Sequence, residues 1–305
     1  MNGQAEPAGE QPASDEYGEP APPFEVLAPA RQTAPLVLAS PHSGRCYPPA
    51  FVAGSALDPL ALRRSEDAFV DEIFAAAPLL GAPLLRACYP RAYVDPNHEP
   101  WELDPAMFDG PLPEWVNTDS PRVAGGLGTI ARVVTDGAEI YRRPLSFAEA
   151  RRRVTRLYQP YHAALRTLVD GTRERFGCCI LLDCHSMPSV GGPMDRDPGA
   201  RRVDFVLGDA FSRACDSRVM HRAEEVLTGL GFRVARNNPY AGGFTTRHYG
   251  DPEAGVHALQ IEINRGLYMD EARIERSTGM APLAGRMREV IAALSSLGLV
   301  LAPAP

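Results

Sequence analysis

The sequence lacks several features that would place the protein outside the cytoplasm. It contains no uninterrupted apolar run of about eighteen residues, so we expect no transmembrane helix. It also lacks a basic start followed by an apolar core, which a secretory signal peptide would show. Its six cysteines, with Cys178 and Cys179 adjacent, have neither the spacing of a disulfide framework nor that of a CxxC zinc site. These absences favour a cytoplasmic protein with reduced thiols.

An excess of positive charge is also missing. Residues 1–30 contain six acidic residues and no lysine or arginine, so they carry most of the formal net charge of −7. The remainder of the chain is close to neutral. Because phosphate binding requires clustered positive charge, the sequence argues against nucleic acid as a partner.

The composition divides the 305-residue chain into a tail and a body. Residues 1–30 are rich in Pro, Glu, Ala and Gly, which predicts a disordered and dispensable acidic tail. Residues 31–305 are expected to form a single domain. Apolar strands alternate with helical patterns there, including strands at 35–40 and 129–134 and a helix from Ser146 to Phe176 kinked at Pro160. This order predicts a mixed, largely parallel α/β sheet with helices on both faces.

Two of the predicted strands end in the same dipeptide. An apolar strand precedes His42-Ser43, and another, Cys178–Leu182, precedes Asp183 and His185-Ser186. Functional side chains gather at the carboxyl ends of strands in open α/β sheets. Each histidine is therefore a candidate metal ligand or base, although a hydrogen-bonded structural histidine at a strand end is the alternative.

Two acidic residues could complete a metal site. Asp67 lies near the first turn of a predicted helix, where it could equally complement the helix dipole. Glu262 lies inside an apolar strand, where a carboxylate is costly unless it is paired with Arg265 or functional. Catalytic zinc takes three ligands from His, Asp or Glu, and a further, unligated carboxylate can accept a proton. Spacing alone leaves open which acid has which role.

The chain resembles the N-formylglutamate amidohydrolases, the deformylases that end one bacterial route of histidine degradation. The resemblance covers roughly residues 34–270 and rests on separated motifs in one order. These motifs are Pro41-His42-Ser43-Gly44, Ser65-Glu66-Asp67, Arg91 to Asn97, Glu102-Leu103-Asp104, Gly126 to Thr129, Tyr158 to His162, Asp183 to Met187, Asn238 to Gly243, and Gln260 to Arg265.

The resemblance implies a fold similar to the zinc carboxypeptidases and a zinc-dependent amide hydrolysis. It implies that His42, Asp67 and His185 bind one Zn²⁺ and that Glu262 is the general base. The implied substrate is a small acyl amino acid, N-formyl-L-glutamate above others. The candidate substrate contacts, of which the arginines could instead be structural ion pairs, are Arg91, Asn97, Arg132, Tyr240, Thr245, Arg247 and Arg265.

Two departures qualify the resemblance. His98 stands where the family pattern after Asp95-Pro96-Asn97 has arginine, which puts the substrate in doubt rather than the chemistry. Arg45 replaces the glutamate of the His-x-x-Glu zinc motif, so the carboxylate ligand must be another residue, Asp67 or, second, Glu66. The alternatives are a related deacylase or carboxypeptidase, or a metal-binding relative without catalysis. The presence of Glu262 argues against the last of these.

Overall fold

A seven-stranded sheet forms the centre of the protein in a computed structural model that describes residues 21–134, 136–193, 195 and 197–301. The spatial order of the strands is β1-β3-β2-β4-β7-β5-β6. A two-stranded hairpin, β8 with β9, lies apart from it. The strands are β1 (Phe24–Leu27), β2 (Leu36–Ser40), β3 (Leu84–Ala87), β4 (Cys179–Met187), β5 (Phe205–Gly208), β6 (Val234–Arg236), β7 (Val256–Asn264), β8 (Met269–Asp270) and β9 (Glu275–Arg276).

The central strands β3, β2, β4 and β7 run parallel to one another. β1 adds to β3 as an antiparallel edge strand, and β5 pairs antiparallel with β7 before β6 continues parallel to β5. The sheet is therefore mixed and largely parallel. This confirms the fold class expected from the sequence and from its resemblance to zinc carboxypeptidase-like enzymes.

Nine α-helices occur in the described residues. They are α1 (Pro49–Gly54), α2 (Pro59–Leu62), α3 (Val70–Ile73), α4 (Pro121–Ala124), α5 (Phe147–Arg153), α6 (Gln159–Phe176), α7 (Ser217–Gly229), α8 (Phe244–Tyr249) and α9 (Met280–Leu301). The side chain of Ser146 accepts from the backbone N–H of Glu149 and so caps α5, as the sequence predicted. None of the helices within the described ranges is long and apolar enough to cross a membrane.

The helices cover both faces of the sheet, each over its own apolar core. On one face, α3, α7 and α9 pack over alternate strand residues such as Leu38 and Leu182. On the other face, α6 packs over the residues between them, such as Val37 and Leu181. The alternation follows from the period of two along a strand.

The face under α6 changes from apolar to polar along β4 and β7. On β4, Leu181 is followed on the same face by Asp183 and His185, and all three are buried. β7 pairs with β4 in a register that sets Glu262 beside His185. Polar side chains are thus collected at the carboxyl ends of the central strands, on the side that faces α6.

Two local predictions, the tail to residue 30 and a strand at 129–134, are wrong in detail. Residues 1–20 of the predicted tail lie outside the described residues, but Phe24–Leu27 is ordered, because it pairs with β3 and Glu25 forms a 2.5 Å ion pair with Arg86. Residues 129–134 form no strand, since their backbone bonds to loops, for example Thr129 N–H to the Glu102 carbonyl. The helix predicted from Ser146 to Phe176 is present, and its irregularity is a π-helical turn over Val154–Tyr158, between α5 and α6, just before Pro160.

Candidate metal and catalytic site

Three side chains from distant parts of the chain meet beyond the ends of β2 and β4. Nδ1 of His42 lies 3.1 Å from Oδ2 of Asp67, and Nδ1 of His185 lies 3.0 Å from the same oxygen. The two imidazole nitrogens are 3.1 Å apart. Each residue is at most 2% exposed, and the donor atoms form a group that could hold a metal ion.

The donor set fits a divalent metal such as zinc. Imidazole nitrogen and carboxylate oxygen are the usual ligands of catalytic zinc, with three protein ligands and one open position. Ligands about 2.0–2.1 Å from tetrahedral zinc lie roughly 3.3 Å apart, close to the separations of 3.0–3.1 Å found here. His42, Asp67 and His185 would hold the ion.

Asp67, rather than Glu66, is the carboxylate that faces the histidines. Its Oδ1 accepts hydrogen bonds from Nη2 of Arg265 at 3.1 Å and from Oγ of Ser186 at 3.2 Å, which leaves Oδ2 for the cluster. Glu66 is engaged elsewhere, because it accepts from the Tyr47 hydroxyl at 2.6 Å and from the Arg63 guanidinium.

Each histidine has a carboxylate at its outer nitrogen. Nε2 of His42 lies 2.7 Å from Oδ1 of Asp95, and Nε2 of His185 lies 2.9 Å from Oδ1 of Asp183. Carboxylates in this position fix the tautomer and orientation of a metal-binding imidazole. Neither Asp95 nor Asp183 was assigned a role from the sequence. A signal existed for Asp183, which precedes His185 by two residues on one strand face.

The carboxylates around the cluster favour positive charge at its centre. Burial alone would raise the pKa of Asp67, but its hydrogen bonds with His185 and His42 hold that pKa well below its ordinary value. Burial likewise opposes charge on His185, yet Asp183 and Asp67 raise the pKa of His185 well above the usual value. The carboxylates therefore favour a positive charge between His42, Asp67 and His185, which a bound metal ion would supply.

Glu262 lies beside the cluster without belonging to it. Its Oε1 accepts from Nε2 of Gln260 at 2.9 Å, and Gln260 in turn accepts from the Gly243 N–H at 2.7 Å. Burial raises the pKa of Glu262 to about 7, an effect that the charge of His185 opposes and that of Asp67 reinforces. A carboxyl with a pKa near neutrality is suited to accept and return a proton.

The structure brings Arg91, Asn97 and Arg265 close to the cluster. Arg91 donates to Oδ2 of Asp95 at 2.8 Å, and Nδ2 of Asn97 lies 3.2 Å from Nε2 of His185. Arg265 uses all three guanidinium nitrogens on the protein, because Nε donates to Ser186 and Nη1 to the Arg64 carbonyl. Its geometry is that of a group that orients Asp67.

The other predicted contacts have different surroundings. Arg132 is engaged by Asp104 at 2.7 Å and by Glu139 at 2.9 Å. Thr245 is fully buried and donates its backbone N–H to Oδ1 of Asn97 at 2.8 Å. The Tyr240 hydroxyl accepts from Arg202 at 2.8 Å, and the charge of Glu262 adds to burial in raising the pKa of Tyr240.

His98, the departure from the family pattern, is buried between two acidic side chains. It is 3% exposed, its Nδ1 lies 2.7 Å from Oε2 of Glu102, and its Nε2 lies 3.7 Å from Oδ2 of Asp95. His98 therefore belongs to the polar surroundings of Asp95, behind His42.

Two exposed arginines on the Asp95 side have no carboxylate partner among the described residues. They are Arg122 on α4 and Arg247 on α8, whose Nη1 donates to the Gly242 carbonyl at 2.7 Å. Desolvation by the surrounding protein lowers the pKa of Arg122, and the positive charges of Arg247 and Arg91 lower it further. No sequence pattern indicated Arg122. The arrangement is electrostatically suited to an anion.

Comparison with known proteins points to one family. The family model described as N-formylglutamate amidohydrolase matches residues 34–269. The N-formylglutamate deformylase of Pseudomonas aeruginosa is 33% identical over 251 residues, which cover 81% of this chain and 86% of that protein. The enzyme of the same name from Pseudomonas putida is 29% identical over the same shares of the two chains.

A solved structure agrees with these matches. The crystal structure of N-formylglutamate amidohydrolase from Ralstonia eutropha JMP134 superposes with a TM-score of 0.83 at 37% identity, covering 91% of this chain and 98% of that one. A protein of Agrobacterium tumefaciens, 22% identical with a TM-score of 0.58 and 91% of this chain covered, shares the fold. The resemblance noted in the sequence is confirmed, and the chain belongs to the N-formylglutamate amidohydrolase family.

Proposed function

We propose that this protein is a zinc-dependent amidohydrolase that cleaves N-formyl-L-glutamate to L-glutamate and formate. The observation that carries the proposal is a buried, unligated Glu262 with a pKa near 7 beside the His42–Asp67–His185 cluster. Relatives named N-formylglutamate deformylases support the choice of substrate. A small-molecule substrate and six cysteines without the spacing of a disulfide framework are consistent with a cytoplasmic location.

The chemistry divides between the metal and Glu262. A metal ion held by His42, Asp67 and His185 would act as a Lewis acid toward the formyl oxygen and activate a water molecule. Glu262 takes a proton from the attacking water through a carboxylate oxygen, and a C–O bond forms at the formyl carbon. The carbon–nitrogen bond then breaks as Glu262 returns the proton to the leaving nitrogen. The products are formate and a free amino acid.

The partners of Glu262 keep this proton transfer in place. Gln260 donates to Oε1 and is itself fixed by the Gly243 N–H, so Glu262 cannot turn away along the strand. Glu262 is only 7% exposed. Bulk water therefore has little access to its carboxylate and competes weakly with the substrate for it. These contacts preorganise the base before the substrate arrives.

The substrate carboxylates would bind to arginines on the Asp95 side of the cluster. All 31 basic residues of the chain are arginines, whose planar guanidinium suits bidentate contact with carboxylates. Arg122 and Arg247 are available for this because no carboxylate among the described residues pairs with them. Arg91 adds positive charge, while Arg265 and Arg132 are held by the protein itself.

A panel of acyl amino acids tests the reaction. Purified protein, stripped of metal and reloaded with zinc, is expected to release formate from N-formyl-L-glutamate faster than from N-formyl-L-glutamine, and to leave N-acetyl-L-glutamate largely intact. Preference for the acetyl compound would favour a related deacylase. No hydrolysis of any acylated acid, with zinc bound, would favour a metal-binding relative without catalysis and contradict the proposal.

The arginine assignment has its own test. A hydrogen bond to a charged group contributes about 1.5–3 kcal/mol, so Arg122→Gln should raise the KM for N-formyl-L-glutamate about tenfold or more. The effect on N-formyl-L-glutamine should be smaller if Arg122 binds the side-chain carboxylate. Arg288→Gln, an exposed arginine on α9, is the matched control. An unchanged KM in Arg122→Gln would exclude Arg122 and leave the reaction itself untouched.

A further inference from the structure

Helix α6 contacts the loop that carries Asp95, the outer partner of His42. His162 on α6 and Tyr158, at the end of the π-helical turn before it, are four residues apart and so lie on one side of the helix. The Tyr158 hydroxyl donates to the carbonyl of His98 at 2.7 Å. Nε2 of His162 lies 2.8 Å from the carbonyl of Pro96. The two side chains therefore hold the carbonyls on either side of Asn97.

The protonation of His162 follows from its surroundings. A carbonyl oxygen can only accept, so Nε2 of His162 carries the hydrogen directed to Pro96. Burial lowers the pKa of His162 to about 4, which keeps the ring neutral near pH 7. Nδ1 is then free to accept from the Tyr249 hydroxyl at 2.9 Å. His162 is thus a fixed donor with one defined tautomer.

The loop between these two anchors reaches both histidines of the cluster. The backbone N–H of Asn97 donates to Oδ1 of Asp95 at 2.8 Å, and the same oxygen lies 2.7 Å from Nε2 of His42. The side chain of Asn97 lies 3.2 Å from Nε2 of His185. A shift of the Pro96 and His98 carbonyls would therefore move Asp95, the outer partner of His42, and the Asn97 amide that lies against His185.

The irregular helix geometry places Tyr158 at this loop. Pro160 has no N–H and cannot donate to the carbonyl of Arg156, so a regular hydrogen-bond ladder is interrupted there. The chain widens into the π turn over Val154–Tyr158 immediately before it. Upstream of the turn, Arg153 contacts a different part of the protein, with Nη1 donating to the Tyr93 carbonyl at 3.1 Å. Single π turns are often found at functional sites.

We infer that Tyr158 and His162 are positioning residues for the metal site: they hold the loop at Asp95–His98 in place and so orient His42 through the contact of Asp95 with its Nε2. The inference rests on the proposed function in that it requires a bound cation. It assigns no direct contact with metal or substrate to either side chain. Orientation of ligands by outer partners commonly changes metal affinity or activity by about 10–100-fold when it is removed.

The test compares variants that differ by single groups. Tyr158→Phe removes only the hydroxyl, and Tyr161→Phe on the same helix is its control, because the buried Tyr161 hydroxyl has no hydrogen-bond partner among the described residues. His162→Leu removes the donor, whereas His162→Gln retains one near the position of Nε2. Zinc affinity is measured by competition with a chelator, alongside kcat, KM and the melting temperature of the metal-free protein.

Tyr158→Phe and His162→Leu are expected to weaken zinc binding about tenfold, the lower end of the range for outer partners. The kcat should fall with little change in KM, and His162→Gln should recover most of the loss. Tyr161→Phe should match the wild type. If His162→Leu does not fold, Tyr158→Phe still decides the matter.

Two results would overturn the inference. A lower melting temperature with unchanged zinc affinity and kcat in both variants would show that the contacts are structural only, while the proposed function would stand. A wild-type protein that binds no zinc would remove the proposed function and the inference together. The two failures are distinguishable because the first appears only in the variants.

Discussion

His185 is supported from within the sheet, whereas His42 is supported from a loop. The partner of His185, Asp183, lies two residues earlier on β4, and the neighbouring strand β7 adds Glu262 in register. His42 follows β2, and its partner Asp95 comes from a loop more than fifty residues further along. Backbone ladders fix the first arrangement, while the second depends on side chains such as Arg91 and on α6.

We call Asp183, His185 and Glu262 the strand half of the site, and His42 with Asp95 the loop half. The two halves should respond differently to substitution. Strand pairing between β4 and β7 holds His185 and Glu262 together through backbone hydrogen bonds that no side-chain substitution removes. The loop half has no such ladder: apart from isolated backbone bonds, such as that from the Asp95 N–H to the Thr129 carbonyl, its geometry depends on individual side-chain contacts. Substitutions in the loop half should therefore be more disruptive than equivalent ones in the strand half, except where a ligand itself is removed.

The largest effects on zinc binding should come from removing a metal ligand. They should be equal in the two halves, because each histidine contacts the ion directly. His185→Ala and His42→Ala each remove one of three ligands, and zinc content should fall to that of metal-stripped protein. Turnover should fall with it. His221→Ala, an exposed histidine on α7, is the control. Full zinc content with unchanged affinity in either variant would remove that histidine from the ligand set.

Glu262→Gln should lower turnover by about 10²–10⁴-fold, the usual contribution of a positioned acid–base group. The amide keeps the volume of the side chain but cannot accept the proton. Zinc content and melting temperature should stay near those of the wild type, since Glu262 is held by the strand ladder. Normal turnover with full zinc would exclude Glu262 from the mechanism, and loss of zinc would make it a ligand.

The Glu262→Gln variant also tests the pH dependence of kcat/KM. A base acts when deprotonated, so kcat/KM should fall as the pH drops through the pKa of Glu262, which burial raises to about 7. A bound cation nearby would lower this pKa, which moves the acidic limb below pH 7. The limb should be absent from the residual activity of Glu262→Gln. Its persistence would assign the titration to another group.

Asp95→Asn and Asp183→Asn compare the two supports directly. Both should weaken zinc binding within about 10–100-fold, the range for outer carboxylates. Asp95→Asn should be the more severe, because Asp95 also pairs with Arg91 and accepts from the Asn97 N–H. Chelator competition measures both affinities. A larger effect of Asp183→Asn would break the comparison between strand and loop.

The smallest effects are expected at Ser43 and Ser186, which directly follow the two histidines, and we expect them to differ in kind. Ser186 Oγ bonds to Asp67 and Arg265, so Ser186→Ala should cost about 1 kcal/mol, or roughly fivefold in zinc affinity. Ser43 Oγ bonds to Ser40 and accepts from the Asp71 N–H. Ser43→Ala should lower the free energy of unfolding by about 1 kcal/mol and leave zinc affinity unchanged. Equal zinc affinities in both variants would contradict this distinction.

The strand half of the site was the more predictable from sequence. Apolar runs that end in polar residues predicted β4 and β7 and placed His185 and Glu262 at their ends. Asp183 and Gln260 were not assigned roles, although the period of two puts them on the same faces as these residues. The signal for them was local and could have been used.

The loop half could not be derived in the same way. The contact of Asp95 with His42 is long-range, and no local pattern specifies it. The apolar residues of 129–134 indicated a strand, but their backbone groups bond to loops instead. β1 lies in a segment whose composition indicated disorder, and its order comes from pairing with β3 and from the ion pair between Glu25 and Arg86.

The register of β4 and β7 also determines which changes of length the protein can tolerate. Asp183, His185, Gln260 and Glu262 share one face only because each pair is separated by two residues along its strand. Deletion or insertion of one residue ahead of either pair would turn both members toward α3, α7 and α9, into an apolar core with no counter-charges. We therefore expect the length of these two strands to be far more constrained than the identity of their apolar residues.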